Sequence, residues 1–130
     1  MNIRFVPAGL KLLGVASLAL AGAASAQTAG DPLKGKAVYN RCVACHDMKP
    51  GVNKIGPSLN GIVGRKSATV PGFNYSPAMK KAGLTWDPAT LDAFLEKPMK
   101  QIPGNRMAFV GVPKPEDRAN LIAYMKAPTK

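Results

Sequence analysis

The sequence predicts an all-α fold of about four to five short helices joined by long loops. Asp-Pro and Ser-Pro pairs stand where helices typically begin, with an N-cap residue followed by proline at the first helical position. No stretch alternates between apolar and polar residues as a half-buried strand does. The segments at roughly 47–75 and 99–113 are rich in Gly, Pro and Asn, which is typical of loops.

The first two helices carry start signals of this kind. Asp31-Pro32 predicts a helix that runs to about Asn40. Ser76-Pro77 predicts a short second helix. Gly83 is expected to end it, because glycine is favoured just after the last turn of a helix.

The third and last helices have apolar faces as well as start signals. Asp87-Pro88 predicts a helix that Pro98 stops, and Pro115 begins the last one. Their apolar residues recur at helical spacing, which predicts that one face of each packs into a core. These residues are Leu91, Phe94 and Leu95 in the third helix, and Leu121, Ile122, Tyr124 and Met125 in the last.

Composition excludes several classes of protein. The 130 residues include only two cysteines and one histidine, which excludes disulfide-rich scaffolds and zinc sites built from four Cys and His ligands. Apolar residues make up 46%, too many for a disordered chain. No apolar run reaches the ~20 residues that span a bilayer. The formal net charge of +11 indicates acidic partners.

Residues 1–26 have the pattern of a cleavable signal peptide. Arg4 and Lys11 provide a basic start, an uncharged apolar run follows, and Ala24-Ser25-Ala26 is an A-x-A cleavage site. An N-terminal anchor helix is the alternative, but the run is too short to span a membrane. We therefore expect a mature domain of residues 27–130 in a bacterial periplasm, with a net charge of +9 after the two leader cations are removed from +11. The periplasmic address and the even spread of lysines argue against a nucleic-acid partner.

The loops are long for so small a chain. Four short helices bury little surface, and structureless loops beyond ~12–15 residues are uncommon in a compact domain. A large apolar cofactor at the centre would explain both features.

Cys42-Val43-Ala44-Cys45-His46 has the C-x-x-C-H spacing of a c-type haem attachment site. Two cysteines three residues apart lie on one face of a helical turn, from which both can form thioethers to one porphyrin. The adjacent histidine can then bind the iron. The alternatives are a thiol–disulfide redox pair, which needs a strand-then-helix setting that the sequence lacks, a bare metal site, which lacks further ligands, and a purely structural segment.

A sixth iron ligand must come from a methionine, because the chain has no second histidine. Met48 is too close to the histidine to reach the opposite face of a haem, and Met125 stands at an apolar helix position where core packing explains it. Met107 lies in an irregular segment, residues 103–109, that can cover the far face, so position favours it. The candidates that position leaves open are Met79 and Met99.

With these residues in view, the chain resembles a class I cytochrome c of the soluble bacterial and mitochondrial type. The resemblance covers essentially all of residues 30–130, and the order of its motifs makes it specific. The motifs are Gly30-Asp31, Lys34-Gly35-Lys36, Cys42 to His46, Asn53 to Gly61, Gly64-Arg65, Pro71 to Ser76, Trp86, Pro103 to Phe109 and Leu121 to Lys126.

The resemblance implies a small cytochrome c fold around one covalent haem c, with His46 and Met107 as the axial ligands of its iron. It also implies that the Pro57 carbonyl accepts a hydrogen bond from the free ring nitrogen of His46. The expected haem propionate contacts are Arg65, Tyr75 and Trp86, with help from Ser76 and Asn105. The expected pocket lining is Leu59, Leu95, Ile102 and Phe109, and the expected helix crossing brings Gly35 and Tyr39 against Leu121 and Tyr124.

Four residues depart from the usual pattern of the family. Phe94 stands where many relatives have a tyrosine whose hydroxyl reaches the methionine sulfur. Met79 stands where mitochondrial relatives usually have an asparagine in a buried-water network. Asn105 replaces a common threonine and Arg106 a common lysine. The first two changes bear on the strength of the bond between iron and methionine.

A haem held by histidine and methionine implies a single-electron carrier and not an enzyme, because both axial positions are filled. The expected donor is a bc-type membrane complex, and the expected acceptor is a terminal oxidase, a reaction centre or a periplasmic reductase. Docking by a monomer, peripheral to the membrane at most, would be electrostatic and transient. The cations expected near the haem edge are Lys36, Arg41, Lys54, Lys100, Arg106 and Lys114.

Two other functions stay open from the sequence. One is a haem enzyme or ligand sensor with a labile sixth ligand, which the absence of a tyrosine at position 94 favours. The other is a haem-free thiol oxidoreductase that uses the two cysteines.

Overall fold

The structure is a computed structural model that describes residues 29–128, and this part of the chain forms five helices. They are α1 (Pro32–Tyr39), α2 (Pro77–Ala82), α3 (Pro88–Glu96), α4 (Pro98–Gln101) and α5 (Pro115–Lys126). Within residues 29–128 no strand is formed, so the predicted all-α fold is confirmed. The predicted signal peptide lies outside the described residues. None of the helices between residues 29 and 128 is long and apolar enough to cross a membrane.

Proline begins every helix, and side-chain caps precede three of them. The Asp31 carboxylate accepts from the Leu33 N–H at 2.8 Å, ahead of α1. Ser76 and Asp87 cap α2 and α3 in the same way. These caps satisfy N–H groups that have no partner within the helix, which is why the Asp-Pro and Ser-Pro pairs mark the starts correctly.

The short helix α4 differs from the sequence expectation. Pro98 was expected to stop a helix and to be followed by a loop, but it also begins α4. The Ile102 N–H donates to the Pro98 carbonyl at 3.0 Å and closes this single turn. Four residues are too few to show a helical period, so the sequence pattern contains no signal for α4.

Helices α1 and α5 cross at close range, as expected. A Cβ on Gly35 would lie 2.8 Å from Cβ of Tyr124 and would overlap the Asn120 carbonyl, so only glycine permits this approach. The rings of Tyr39 and Tyr124 pack with their centroids 5.2 Å apart. The crossing fixes where the chain after α1, including the two cysteines, meets the core.

A buried arginine joins α5 to α3 and to the segment before α5. Arg118 is 6% exposed, and its Nε donates to Asp92 at 2.7 Å. Its Nη1 donates to the Val112 and Pro113 carbonyls at 3.0 and 2.9 Å. These hydrogen bonds hold the segment that follows Met107 against α5.

A short antiparallel contact brings two other parts of the chain together. Lys66 and Thr85 form an isolated bridge, and the Trp86 N–H donates to the Arg65 carbonyl at 2.8 Å. The pairing places Arg65 and Trp86 side by side, although 21 positions separate them in the sequence.

Candidate functional site

A cavity of about 550 Å³ lies between the helices and the long loops. Its volume is in the range of pockets that hold a drug-sized or cofactor-sized molecule. Its walls include every residue predicted to ligate the iron or contact the cofactor: Cys42, Cys45, His46, Pro57, Arg65, Tyr75, Trp86, Asn105, Met107 and Phe109.

The predicted pocket lining needs one correction. Leu59, Leu95 and Phe109 line the cavity as expected, and so does Ser76, which was expected to help with a propionate, but Ile102 does not. Ile102 is 5% exposed and belongs to the core behind the wall. It follows the last residue of α4, a helix for which the sequence pattern contained no signal.

The two cysteines lie on a turn that continues from α1. The Cys45 and His46 N–H groups both donate to the Cys42 carbonyl, at 3.0 and 2.8 Å. Cys42 and Cys45 are free thiols, and both line the cavity. Burial raises the pKa of the Cys42 thiol to about 11, whereas thiol exchange is favoured by a lowered pKa. Both thiols therefore lie on one turn beside the cavity, where a single group could be attached to the two of them.

The predicted hydrogen bond of the histidine is present. Nδ1 of His46 lies 2.7 Å from the Pro57 carbonyl oxygen. A carbonyl can only accept, so Nδ1 carries the proton and Nε2 keeps its lone pair. Burial lowers the pKa of His46, against the opposing effect of the Pro57 carbonyl, and Lys54 lowers it further. This neutral tautomer is the form that binds a metal.

Glycine at position 56 lets the backbone lie against the His46 ring. A Cβ there would stand 2.7 Å from Nδ1 and 2.8 Å from Nε2. The Gly56 N–H donates to the Cys45 carbonyl at 2.7 Å, which joins this segment to the cysteine turn. No local pattern in the sequence marks Gly56, because the need for glycine there depends on a ring ten residues away.

Three of the five methionines within residues 29–128 reach the cavity wall. Met79, Met107 and Met125 line it, whereas Met48 and Met99 do not. Met125 is 4% exposed and packs within the core face of α5. Met107 lies outside any helix, on the segment between α4 and α5.

One wall combines a cation with aromatic side chains. Nη1 and Nη2 of Arg65 donate to the Asn60 and Ser58 carbonyls at 2.7 and 3.1 Å. The Trp86 ring packs on Phe94 with centroids 4.9 Å apart. Among residues 29–128 the Trp86 indole N–H, on a residue only 6% exposed, has no acceptor. A buried donor of this kind suits a cofactor that carries acceptor oxygens.

Asn105 differs from the expectation that it helps to hold a propionate. It lines the cavity, but its Nδ2 donates to the Pro98 and Ile102 carbonyls at 3.0 and 2.8 Å. Its Oδ1 accepts from the Met107 N–H at 2.8 Å. Both amide hydrogens are therefore engaged by the protein backbone. Sequence reasoning missed this role because it depends on α4.

The charged side chains that line the cavity are cationic. Arg41 and Arg106 line it, and Lys54 donates to the Val43 and His46 carbonyls beside it. The expected docking cations Lys36, Arg41, Lys54, Lys100, Arg106 and Lys114 are all exposed. No group of three or more His, Cys, Asp or Glu side chains within residues 29–128 could hold a bare metal ion. The few ligands at the cavity instead suit a metal ion that a macrocyclic cofactor already holds.

The chain is similar to proteins of one family. The family model described as cytochrome c matches residues 33–128. Cytochrome c2 of Rhodomicrobium vannielii is 50% identical over 117 residues, which cover 87% of this chain and 91% of that protein. Cytochrome c2 of Agrobacterium tumefaciens is 54% identical over 100 residues, which cover 74% of this chain and 90% of that protein.

A solved structure shows the same architecture. Cytochrome cH from Methylobacterium extorquens superposes with a TM-score of 0.71 at 41% sequence identity. The match covers 75% of this chain and 98% of that chain.

Proposed function

The chain belongs to the cytochrome c family, and we propose that it is a single-electron carrier whose haem iron is held between His46 and Met107. The observation that carries the proposal is the cavity itself. His46, fixed through Nδ1 by Pro57, and Met107 both line it, next to two cysteines on one turn.

Membership of the family implies one covalently attached haem c. In the proposal, the thiols of Cys42 and Cys45 form its thioethers and Nε2 of His46 is the first axial ligand. When bound, haem supplies one-electron chemistry at an iron that alternates between Fe(II) and Fe(III). The protein's part is to orient His46 through Pro57, to leave room for its ring at Gly56 and to keep water out.

Met107 is the proposed second axial ligand. Met79 and Met125 also line the cavity, but both lie in helices, and Met125 is a buried member of the core. Met107 has no helix to hold it, yet its backbone N–H is fixed by Asn105 at 2.8 Å. A neutral thioether ligand and apolar walls favour the reduced, less charged iron, which raises the potential.

Arg65, Tyr75 and Trp86 are the proposed propionate contacts. Two N–H groups of Arg65 are used by backbone carbonyls, which leaves others of its five donors for an anion. The Tyr75 hydroxyl accepts from the Val70 N–H at 3.2 Å and keeps its own hydrogen to donate. The unpaired indole N–H of Trp86 completes a donor set for carboxylates.

Two filled axial positions leave no site for oxygen or substrate, so the proposal includes that the protein is not an enzyme. The test is the visible spectrum of the purified holoprotein, oxidised and reduced, with and without carbon monoxide. A low-spin c-type spectrum unchanged by carbon monoxide is expected, and Met107→Ala should bind it promptly. A prompt shift in the wild type would refute the closed site. It would favour a haem enzyme or sensor with a labile sixth ligand. Phe94 supports that alternative, because its ring packs on Trp86 and has no hydroxyl to offer the methionine sulfur.

The proposed location is the periplasm, after cleavage that leaves Gln27 as the first residue. The mass of protein from a periplasmic extract tests the leader and the thioethers together. The expected mass is that of residues 27–130 plus one haem. A chain that retains residues 1–26 would refute the cleavage.

The proposed partners are acidic faces of redox proteins: a bc-type complex as donor, and a terminal oxidase, reaction centre or periplasmic reductase as acceptor. Exposed cations around the cavity would raise the encounter rate, and salt would screen it. The proposed carrier acts as a monomer, peripheral to the membrane at most. Reduction by a solubilised bc-type complex should slow as ionic strength rises.

A matched pair of charge reversals separates local docking from net charge. Lys100 borders the outer side of the Met107 segment, whereas Lys34 pairs with Glu116 at the start of α5. Both Lys→Glu changes alter the net charge equally. Lys100→Glu should lower the reduction rate more than Lys34→Glu at low salt. Equal effects would contradict a docking face at the cavity.

A further inference from the structure

We propose that Asn105 is a positioning residue for Met107, and that its side-chain amide determines how firmly the sixth iron position is closed. The inference rests on the proposed function, in which Met107 is an axial ligand. It replaces the expectation that Asn105 contacts a propionate.

The amide of Asn105 is buried and fully used. The residue is 6% exposed. Nδ2 donates to the Pro98 carbonyl at 3.0 Å and to the Ile102 carbonyl at 2.8 Å, while Oδ1 accepts from the Met107 N–H at 2.8 Å. The orientation is determined by chemistry, because a flipped amide would set oxygen against two carbonyls and NH₂ against an N–H.

These bonds connect a helix to the segment that carries the ligand. Pro98 begins α4 and Ile102 follows its end, so the amide is anchored on a closed turn. The next bond from this segment to another element joins the Val112 N–H to the Leu95 carbonyl at 2.7 Å. Between these two anchors, residues 107–111 form no helix. Asn105 is thus the anchor adjacent to Met107.

A methionine needs such an anchor more than a histidine does. Its side chain is unbranched and has three rotatable bonds, so the sulfur can be aimed only if the backbone is held. The His46 ring has its own support from Pro57. The corresponding support for Met107 comes from Asn105, whose side-chain amide accepts from the Met107 backbone N–H. If Asn105 is lost, the segment can move outward and the sixth position opens more often.

Two readouts on the holoprotein test this role. One is the hydrogen exchange rate of the Met107 amide, which reports on the hydrogen bond directly. The other is the rate at which the reduced protein binds carbon monoxide, which reports on opening of the sixth position. Asn105→Ala should raise both rates at least about fivefold, the order expected when a buried N–H loses its acceptor and is left unsatisfied. Asn105→Thr replaces the amide by one hydroxyl that can still accept from the Met107 N–H, so its rates should lie between those of wild type and Asn105→Ala, and it serves as the test if the alanine variant does not fold.

Asn120→Ala is the matched control. Asn120 is 5% exposed, and its Oδ1 accepts from the Asp31 N–H at 2.7 Å, at the crossing of α1 and α5. Asn120→Ala also loses a hydrogen bond made by a buried side-chain amide, so the melting temperature of this variant should fall. Both of the rates measured for Asn105 should stay within about twofold of wild type, since Asn120 bonds to Asp31 and does not line the cavity.

The outcomes separate the two proposals. If Asn105→Ala and Asn105→Thr lower the melting temperature but leave both rates unchanged, as in Asn120→Ala, Asn105 is merely structural and the inference is wrong. If Met107→Ala binds carbon monoxide no faster than wild type, the ligand assignment itself fails. If Met107→Ala binds carbon monoxide rapidly and both Asn105 variants bind it as slowly as wild type, only the role of Asn105 is refuted.

Discussion

Replacing Gly56 with alanine should destabilise the holoprotein, because the His46 ring lies directly against this residue. The new Cβ would stand 2.7 Å from Nδ1 and 2.8 Å from Nε2. The ring has little freedom to retreat, since Nδ1 is bonded to the Pro57 carbonyl at 2.7 Å. The backbone has little freedom either, since the Gly56 N–H donates to Cys45 at 2.7 Å. One of these two bonds must lengthen or break.

The magnitude follows from these contacts. Overpacking a filled site costs about 1–3 kcal/mol. Loss of one hydrogen bond adds about 0.5–1.5 kcal/mol, so we expect a total of about 2–4 kcal/mol. Gly56 does not have a positive φ, so alanine adds no backbone strain there. For a domain of this size the loss corresponds to a fall in melting temperature of roughly 8–30 °C.

The assay is guanidinium unfolding of the oxidised holoprotein, with Gly51→Ala as control. Gly51 has a φ of +71°, and a Cβ there would meet nothing within 4 Å. Gly51→Ala therefore introduces backbone strain without a new contact, and it should lower the free energy of unfolding by about 1–2 kcal/mol. If Gly56→Ala loses less free energy of unfolding than Gly51→Ala, the close approach to His46 does not determine the need for glycine.

Three further predictions concern stability. Arg118→Met should lower the free energy of unfolding by about 2–4 kcal/mol, because the Asp92 carboxylate and two carbonyls lose a buried donor. Lys34→Gln, at an exposed ion pair of 3.6 Å, should change it by less than about 0.5 kcal/mol; equal losses in the two variants would contradict the role of burial. Asp87 caps α3, and its bond to Thr90 lowers the pKa of the carboxyl. The stabilisation it provides is complete above the ordinary aspartate pKa and is lost as pH falls through the lowered one. Asp87→Asn keeps the cap without titrating, so urea midpoints measured against pH should show a smaller acid-side loss; parallel curves would argue against this linkage.

Local signals predicted much of the fold. The Asp-Pro and Ser-Pro pairs marked helix starts correctly because a cap acts within three residues of the proline. The C-x-x-C-H motif identified the turn that lines the cavity for a similar reason, since its spacing equals one helical turn. Resemblance to a family indicated the bond from His46 to Pro57. Position in an irregular segment already favoured Met107 over the other methionines, and the resemblance implied the same ligand.

Local sequence signals thus account for the helices that have caps and for the chemistry of the attachment segment. Packing between distant segments accounts for the bonds of Asn105 to α4 and Met107, for the bonds of Arg118 to the following segment and for the place of Ile102 in the core. Gly56 belongs to the same group, because its need arises from a ring held by another loop. The physical reason is range: a cap acts within one turn, whereas these contacts depend on which distant segments the packed core brings together.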